Sequence, residues 1–152
     1  MILPAAMVLL AGCNGQEAQT PPSPEDMTIV GSAVPEVLQT GEYCYFRDDA
    51  EVTEGVRLIA GGDGSLSGRN YGVIHQEGEG YYSAFEIDLN GGRLTESGLV
   101  LFNANTRVEG DVRSGTMLWN ISEDSAAPDG LDTKLDNVAC DGLEDRVFPE
   151  NQ

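Results

Sequence analysis

The side chains that could serve as a nucleophile, a general base or a metal ligand include His75, Cys13, Cys44 and Cys140, beside 26 Asp and Glu residues among which no pair stands out. A Ser-His-Asp or Cys-His site would require His75, the single histidine of the chain. No serine lies in a G-x-S-x-G elbow, and neither HExxH nor Cys-x-x-Cys occurs. We therefore interpret His75 as a hydrogen-bonded strand or loop histidine. We predict no catalytic residue, no metal site and no cofactor, and a protein that is not an enzyme.

The first cysteine ends an apolar run with the pattern of an export signal. Residues 1–12 are apolar or small, and they are too few for a membrane span, which needs about 20 apolar residues. The stretch Leu10-Ala11-Gly12-Cys13 resembles the lipobox of bacterial lipoproteins, in which the cysteine is acylated and becomes the new N-terminus. Export signals begin with basic residues and none precedes this run, so we expect the true signal to start upstream of Met1.

The resemblance implies a lipid anchor and a location. Acyl chains on Cys13 would hold the protein at a membrane, because two or more chains bind a bilayer firmly. In the family an aspartate after the cysteine retains the protein in the inner membrane, whereas Asn14 stands here. We therefore expect an envelope protein in the outer membrane, facing the periplasm or the surface. Residues 1–12 are the predicted signal peptide, and residues 13–40, rich in Pro, Ser, Gln and Glu, are a predicted disordered tether.

The remaining two cysteines predict a disulfide. Lipidation accounts for the odd cysteine, and the oxidising envelope allows Cys44 and Cys140 to pair. They lie 96 positions apart, near the two ends of the patterned region. Closing a loop of roughly 100 residues stabilises a fold by up to about 4.7 kcal/mol in a chain-entropy estimate. Two free buried thiols are the alternative interpretation.

The charge of the chain narrows its partners. A formal net charge of -18 and a pI near 4.1 disfavour nucleic acid, because the surface repels phosphates. The same charge allows a basic protein or peptide as a partner. The plainer interpretation is that the carboxylates keep an exported protein soluble. The oligomeric state is not predicted.

Residues 41–141 have the pattern of a β domain. Phe85, Ile87 and Leu89 alternate with acids, which is the period of a strand with one buried face. Similar runs joined by Gly, Asn and Asp turns continue along the chain, with no amphipathic helix. The predicted strands are 43–46, 56–60, 65–76, 81–89, 99–103, 106–112 and 117–121, and the predicted turns are 61–64, 90–92, 113–115 and 128–130.

These strands predict an all-β fold. We predict a small antiparallel up-and-down β-barrel of about seven to nine strands, with a β-sandwich as the alternative, closed by the disulfide between its first and last strands. Residues 142–152 are predicted to be a frayed acidic tail. The predicted core consists of Leu58, Phe85, Ile87, Leu89, Leu101, Trp119 and Ile121.

One short motif resembles a second family. Ser67-Gly68-Arg69-Asn70-Tyr71 is similar to the opening of the inhibitory loop of membrane-bound inhibitors of C-type lysozyme. The family continues with an aromatic pair and a Lys-Gly, but Tyr81-Tyr82 falls at a different distance and no Lys-Gly follows.

The leading functional hypothesis is therefore a membrane-anchored envelope lipoprotein with a non-catalytic binding or structural β domain. The alternatives are an inhibitor of a basic enzyme such as lysozyme and a small-ligand carrier of lipocalin type. The sequence does not identify the ligand.

Overall fold

The computed structural model describes residues 38–76, 78 and 80–149 of the 152-residue chain. The predicted signal peptide, Cys13 and all but the last three residues of the predicted tether lie outside the described residues. Among those three, Leu38 is buried in the domain core, so the folded domain begins at least three residues before Gly41.

The domain is a closed antiparallel barrel of eight strands in chain order, with the last strand paired to the first. This confirms the predicted up-and-down barrel and its disulfide. The elements are β1 Gly41–Asp48, β2 Val52–Ala60, β3 Ser65–Gln76, β4 Tyr81–Arg93, β5 Leu99–Val108, β6 Asp111–Ile121, β7 Ser125–Pro128, β8 Leu135–Val138 and the helix α1 Leu143–Val147. No helix among the described residues is long and apolar enough to cross a membrane.

The barrel interior is filled by every second residue of each strand, because successive side chains of a strand point to opposite faces. Of the seven predicted core residues, Leu58, Ile87, Leu89, Trp119 and Ile121 are buried, and Phe85 is partly buried against them. The largest fully buried side chains are Trp119, Tyr45 and Phe102.

The prediction that Leu101 belongs to the core is wrong. Leu101 is 57 % exposed, whereas its neighbours Val100 and Phe102 are fully buried. Residues 99–102 are all apolar, so alternation cannot show which of them face inward. The pairing with β6 settles the register, since it places Val100 opposite the buried Trp119.

The turn predicted at 113–115 is also misplaced. β5 continues to Val108, and a two-residue turn of Glu109 and Gly110 joins it to β6. Both turn residues have positive φ, 50° and 91°, as a hairpin turn of type I′ requires. Gly115 instead lies within β6, opposite Ala104.

A third correction concerns residues 90–92, which form a bulge rather than a turn. β4 continues to Arg93, and its register with β3 shifts so that Asn90 and Gly91 face the single residue Ser67. Gly91 has a φ of 68°, which glycine adopts without strain. At Gly92 a Cβ would clash with the Phe102 ring. These glycines therefore allow close packing inside the barrel.

A second apolar cluster lies outside the barrel. Leu143 and Val147 of α1 are buried against the outer face of β1, β2 and β3, together with Cys44 and Tyr71. The Phe148 ring stacks on Tyr71 with centroids 5.9 Å apart. The predicted frayed tail is therefore wrong for residues 143–148. Two apolar residues four positions apart are enough to dock one helical turn.

Candidate functional site

Among the described residues, the barrel is closed by strands of very different length, and this leaves an opening in its wall between β6 and β1. β7 and β8 have four residues each, whereas β6 has eleven. β7 pairs with β6 only at residues 119–121, and β8 pairs with β1 only at Cys44, Tyr45 and Phe46. Above them, residues 111–118 of β6 and the upper end of β1 have no strand between them within the described part of the chain. We call this gap the open seam.

A polar cluster faces the barrel interior at the level of the open seam. Arg47 Nη2 donates to Glu54 Oε2 at 2.8 Å, and Asn70 Nδ2 donates to Glu54 Oε1 at 2.7 Å. Glu54 and Asn70 are 6 % and 1 % exposed. Two buried atoms of the cluster, Arg47 Nε and Asn70 Oδ1, have no hydrogen-bond partner. Buried polar atoms are normally paired, so this end of the interior is polar and incompletely satisfied.

The first turn at this end is stabilised by a carboxylate. Asp49 accepts hydrogen bonds from the backbone N–H groups of Glu51 and Val52, both at 2.9 Å. These bonds, and the nearby Arg47 guanidinium at 3.3 Å, hold the pKa of the Asp49 carboxyl below its usual value. Asp49 thereby links the turn between β1 and β2 to the polar cluster.

His75 lies on the outer face of β3 in a chain of hydrogen bonds. Thr53 Oγ1 donates to Asp48 Oδ1 at 2.7 Å, so His75 Nε2, at 3.1 Å, is the donor toward that hydroxyl. Tyr82 meets the imidazole edge-on. This agrees with the prediction of a hydrogen-bonded strand histidine. In a catalytic triad the hydroxyl donates to the imidazole instead.

A wide groove of about 740 Å³ lies on the outer face of β2 to β5, beside α1. Four of its charged side chains pair with one another: Arg69 contacts Glu86 and Asp88, and Arg107 contacts the same two carboxylates. Exposed ion pairs of this kind contribute little to stability. Their mutual pairing leaves the groove without a cluster of one charge.

The structure places two further features that the sequence analysis singled out, the cysteine pair and the lysozyme-inhibitor motif. Cys44 of β1 and Cys140, just after β8, form the predicted disulfide across the seam between the first and last strands, with Cα atoms 5.1 Å apart. Residues 67–71 lie in the middle of β3 rather than in a loop. Within this motif Asn70 is buried in the interior and Tyr71 packs on α1. This placement gives the inhibitor hypothesis no support.

Sequence reasoning did not identify the polar cluster. Glu54 precedes Val56 and Leu58 by two and four positions, so an acid on the inward face was readable from the alternation. It was missed because the strand was predicted to begin at Val56, whereas β2 begins at Val52. The pairing of Glu54 with Asn70 depends on the register between β2 and β3.

Comparisons with protein-family profiles, with curated proteins and with solved structures find no match for this chain. The class that the fold defines is a small disulfide-linked antiparallel β-barrel with a laterally open upper half.

Proposed function

We propose that this chain is a lipid-anchored protein of the bacterial cell envelope whose barrel is a non-catalytic binding module. The observation that carries the proposal is the Cys44–Cys140 disulfide, which joins the first strand to the segment after the last. Such bonds persist in oxidising compartments outside the cytoplasm. The lipobox-like Leu10-Ala11-Gly12-Cys13 independently indicates the same compartment and accounts for the third cysteine.

The binding assignment is supported by the chemistry of the described side chains. Thr53 and His75 are hydrogen-bonded in an order that does not activate the hydroxyl, because Thr53 already donates to Asp48. The lower interior is filled by Trp119, Tyr45 and Phe102, which does not favour a carrier with an apolar lumen. The open seam presents an accessible surface with unpaired backbone groups.

The anchor is tested by expressing the complete reading frame in a Gram-negative host with labelled palmitate. We expect label in the wild-type protein, an N-terminus at Cys13 by intact mass, and recovery in the membrane fraction. The Cys13→Ser variant is expected to lose label and membrane association. The matched control, Cys140→Ser, is expected to retain label. An unlabelled chain that keeps its signal segment would contradict the proposal.

The finer location is tested by membrane separation on a density gradient. Asn14 favours the outer membrane, so the wild-type protein is expected there and Asn14→Asp in the inner membrane. Equal distribution of both proteins would contradict outer-membrane placement without affecting the anchor. Non-reducing peptide mapping is expected to recover Cys44 linked to Cys140 in both.

A further inference from the structure

We infer that the open seam is a docking site at which an extended, basic peptide segment of a partner protein adds as a strand to the free edge of β6. This deepens the proposed binding function and rests on it only for the compartment in which the partner is met. Three observations carry the inference: the direction of backbone groups along β6, the space beside them, and the charge of the surrounding rim.

The backbone of β6 directs alternate residues to its two sides. On the β5 side, Ile121 N donates to the carbonyl oxygen of Gly98, in the connection between β4 and β5. On the opposite side, the carbonyl oxygen of Leu118 accepts from Asp129 N, directly after β7. Residues two apart in a strand direct their N–H and C=O groups to the same side. Val112, Ser114 and Thr116 therefore direct theirs away from β5, toward the open seam. No described strand pairs with β6 there, so these residues offer three donors and three acceptors.

The seam has space for an added strand. Residues 111–116 are all exposed, although β5 beside them is partly buried. A Cβ at Gly115, on the inward face of β6 with Trp119, would meet nothing within 4 Å, so the interior beside this stretch is open as well. At the lower end the same gap is filled by β7 and β8, so its width is about three inter-strand spacings, or about 14 Å. An unpaired edge with this exposure is a template for strand addition.

The rim of the seam selects the sign of the partner's charge. In an up-and-down barrel alternate connections lie at one end, and two of those at the seam end are residues 49–51 and 109–110. Together they contain three acidic residues, Asp49, Glu51 and Glu109, and no basic residue. Acidic residues around a binding edge attract a cationic segment and increase its association rate.

The same charges disfavour the two other occupants. A second copy would bring two acidic rims together, each on a chain with a formal net charge of -18. The chain's own N-terminal segment contains no Lys or Arg before Arg47, so it lacks the charge that the rim favours. A basic segment of a different protein fits both the backbone edge and the rim.

The test uses detergent-solubilised full-length protein and a fluorescent synthetic decapeptide that alternates lysine with valine or threonine. Fluorescence anisotropy is expected to show binding that weakens with added salt, and no binding of the matched peptide with glutamates in place of lysines. Ser114→Pro removes a seam-facing N–H and no backbone hydrogen bond to β5, as proline requires at a sheet edge. Like Ser114→Ala, it also removes the hydrogen bond from Ser114 Oγ to Asn105 Oδ1 of β5. It is expected to weaken binding at least tenfold. Ser114→Ala, which keeps the N–H, is expected to bind within twofold of wild type.

A second measurement does not depend on the proline variant folding. Hydrogen exchange in the wild-type protein is expected to slow at least tenfold at the amides of Ser114 and Thr116 when the basic peptide binds. Equal binding by Ser114→Pro, unchanged exchange at these amides, or no peptide binding would overturn the inference. So would a dimer that Ser114→Pro dissociates, or peptide binding that requires deletion of residues 14–37, because each identifies another occupant. None of these outcomes changes the palmitate result, so anchor and docking site fail separately.

Discussion

The ring of strands is complete in the lower half of this barrel and interrupted in its upper half. In the lower half the ring of strands is complete, and Trp119, Phe102 and Leu58 fill it. In the upper half the ring stops at β6, and the interior contains the ion pair of Arg47 and Glu54. The difference follows from two four-residue strands, β7 and β8, between much longer neighbours.

This comparison indicates how stability and binding are divided in the molecule. An apolar ring of side chains gains stability from burial and leaves few backbone groups unpaired. An interrupted ring exposes strand edges and forces polar groups to pair among themselves. The disulfide from Cys44 to Cys140 joins β1 to the segment that follows β8. The helix α1, which comes directly after this segment, packs on the outside of the barrel.

The largest expected effect is in the lower half. Phe102→Ala is expected to reduce the free energy of unfolding by about 3–5 kcal/mol, because it removes a fully buried ring and leaves a cavity. Leu101→Ala, one residue away on the exposed face, is expected to reduce it by less than about 1 kcal/mol. Urea denaturation of both variants measures the contrast. Similar losses would show that the two faces of β5 are assigned incorrectly.

An intermediate effect is expected in the upper half. Glu54→Ala leaves Arg47 and Asn70 without their shared acceptor, and we expect a loss of about 2–3 kcal/mol because the pair is largely buried. The matched control is Glu42→Ala, which breaks the exposed contact with Arg57 and is expected to cost at most about 1 kcal/mol. Thermal and urea unfolding test both. If the two variants lose the same free energy of unfolding, the buried polar cluster contributes no more to stability than an exposed ion pair.

The smallest expected effect is a pH dependence at the seam end. Folding lowers the pKa of Asp49, so its contribution is complete above the unfolded pKa and is lost as pH falls through the folded pKa. Asp49→Asn is expected to flatten the decline of unfolding free energy between about pH 5 and pH 3, by less than about 1 kcal/mol because the group is exposed. A variant with the wild-type acid profile would contradict this role.

Asp63 provides the comparison at the lower end. The Ser65 hydroxyl and backbone N–H lower the pKa of the Asp63 carboxyl, so the sign is the same. Asp63→Asn is therefore expected to flatten the acid limb in the same direction. If only one of the two variants changes the profile, the turns at the two ends do not contribute alike.

Much of the fold could be predicted from local patterns. The strand over residues 65–76 has the predicted bounds, and the turns at 61–64 and 128–130 lie where glycine and proline place them. Other signals were ambiguous because they satisfy two structures. Asn90-Gly91-Gly92 fits a hairpin turn and a bulge equally well, and Arg113-Ser114-Gly115 fits a turn although Glu109-Gly110 forms it. In these cases the pairing partner across the sheet decides.

The candidate site was less predictable than the fold. Backbone groups of Val112, Ser114 and Thr116 carry no side-chain signature, and an unpaired edge depends on where the neighbouring strand ends. Likewise, Leu143 and Val147 in an acidic segment gain helical structure by docking on the barrel, since five isolated residues form no stable helix in water.

By itself, the sequence determined that this is an all-β domain closed by Cys44 and Cys140, because period-two alternation and cysteine count are local or compositional properties. Only the tertiary structure decided which of Val100 and Leu101 faces inward, which partner Glu54 takes, and that the ring of strands is interrupted beside β6. These features depend on register and on the relative lengths of strands far apart in the chain, which no local pattern encodes.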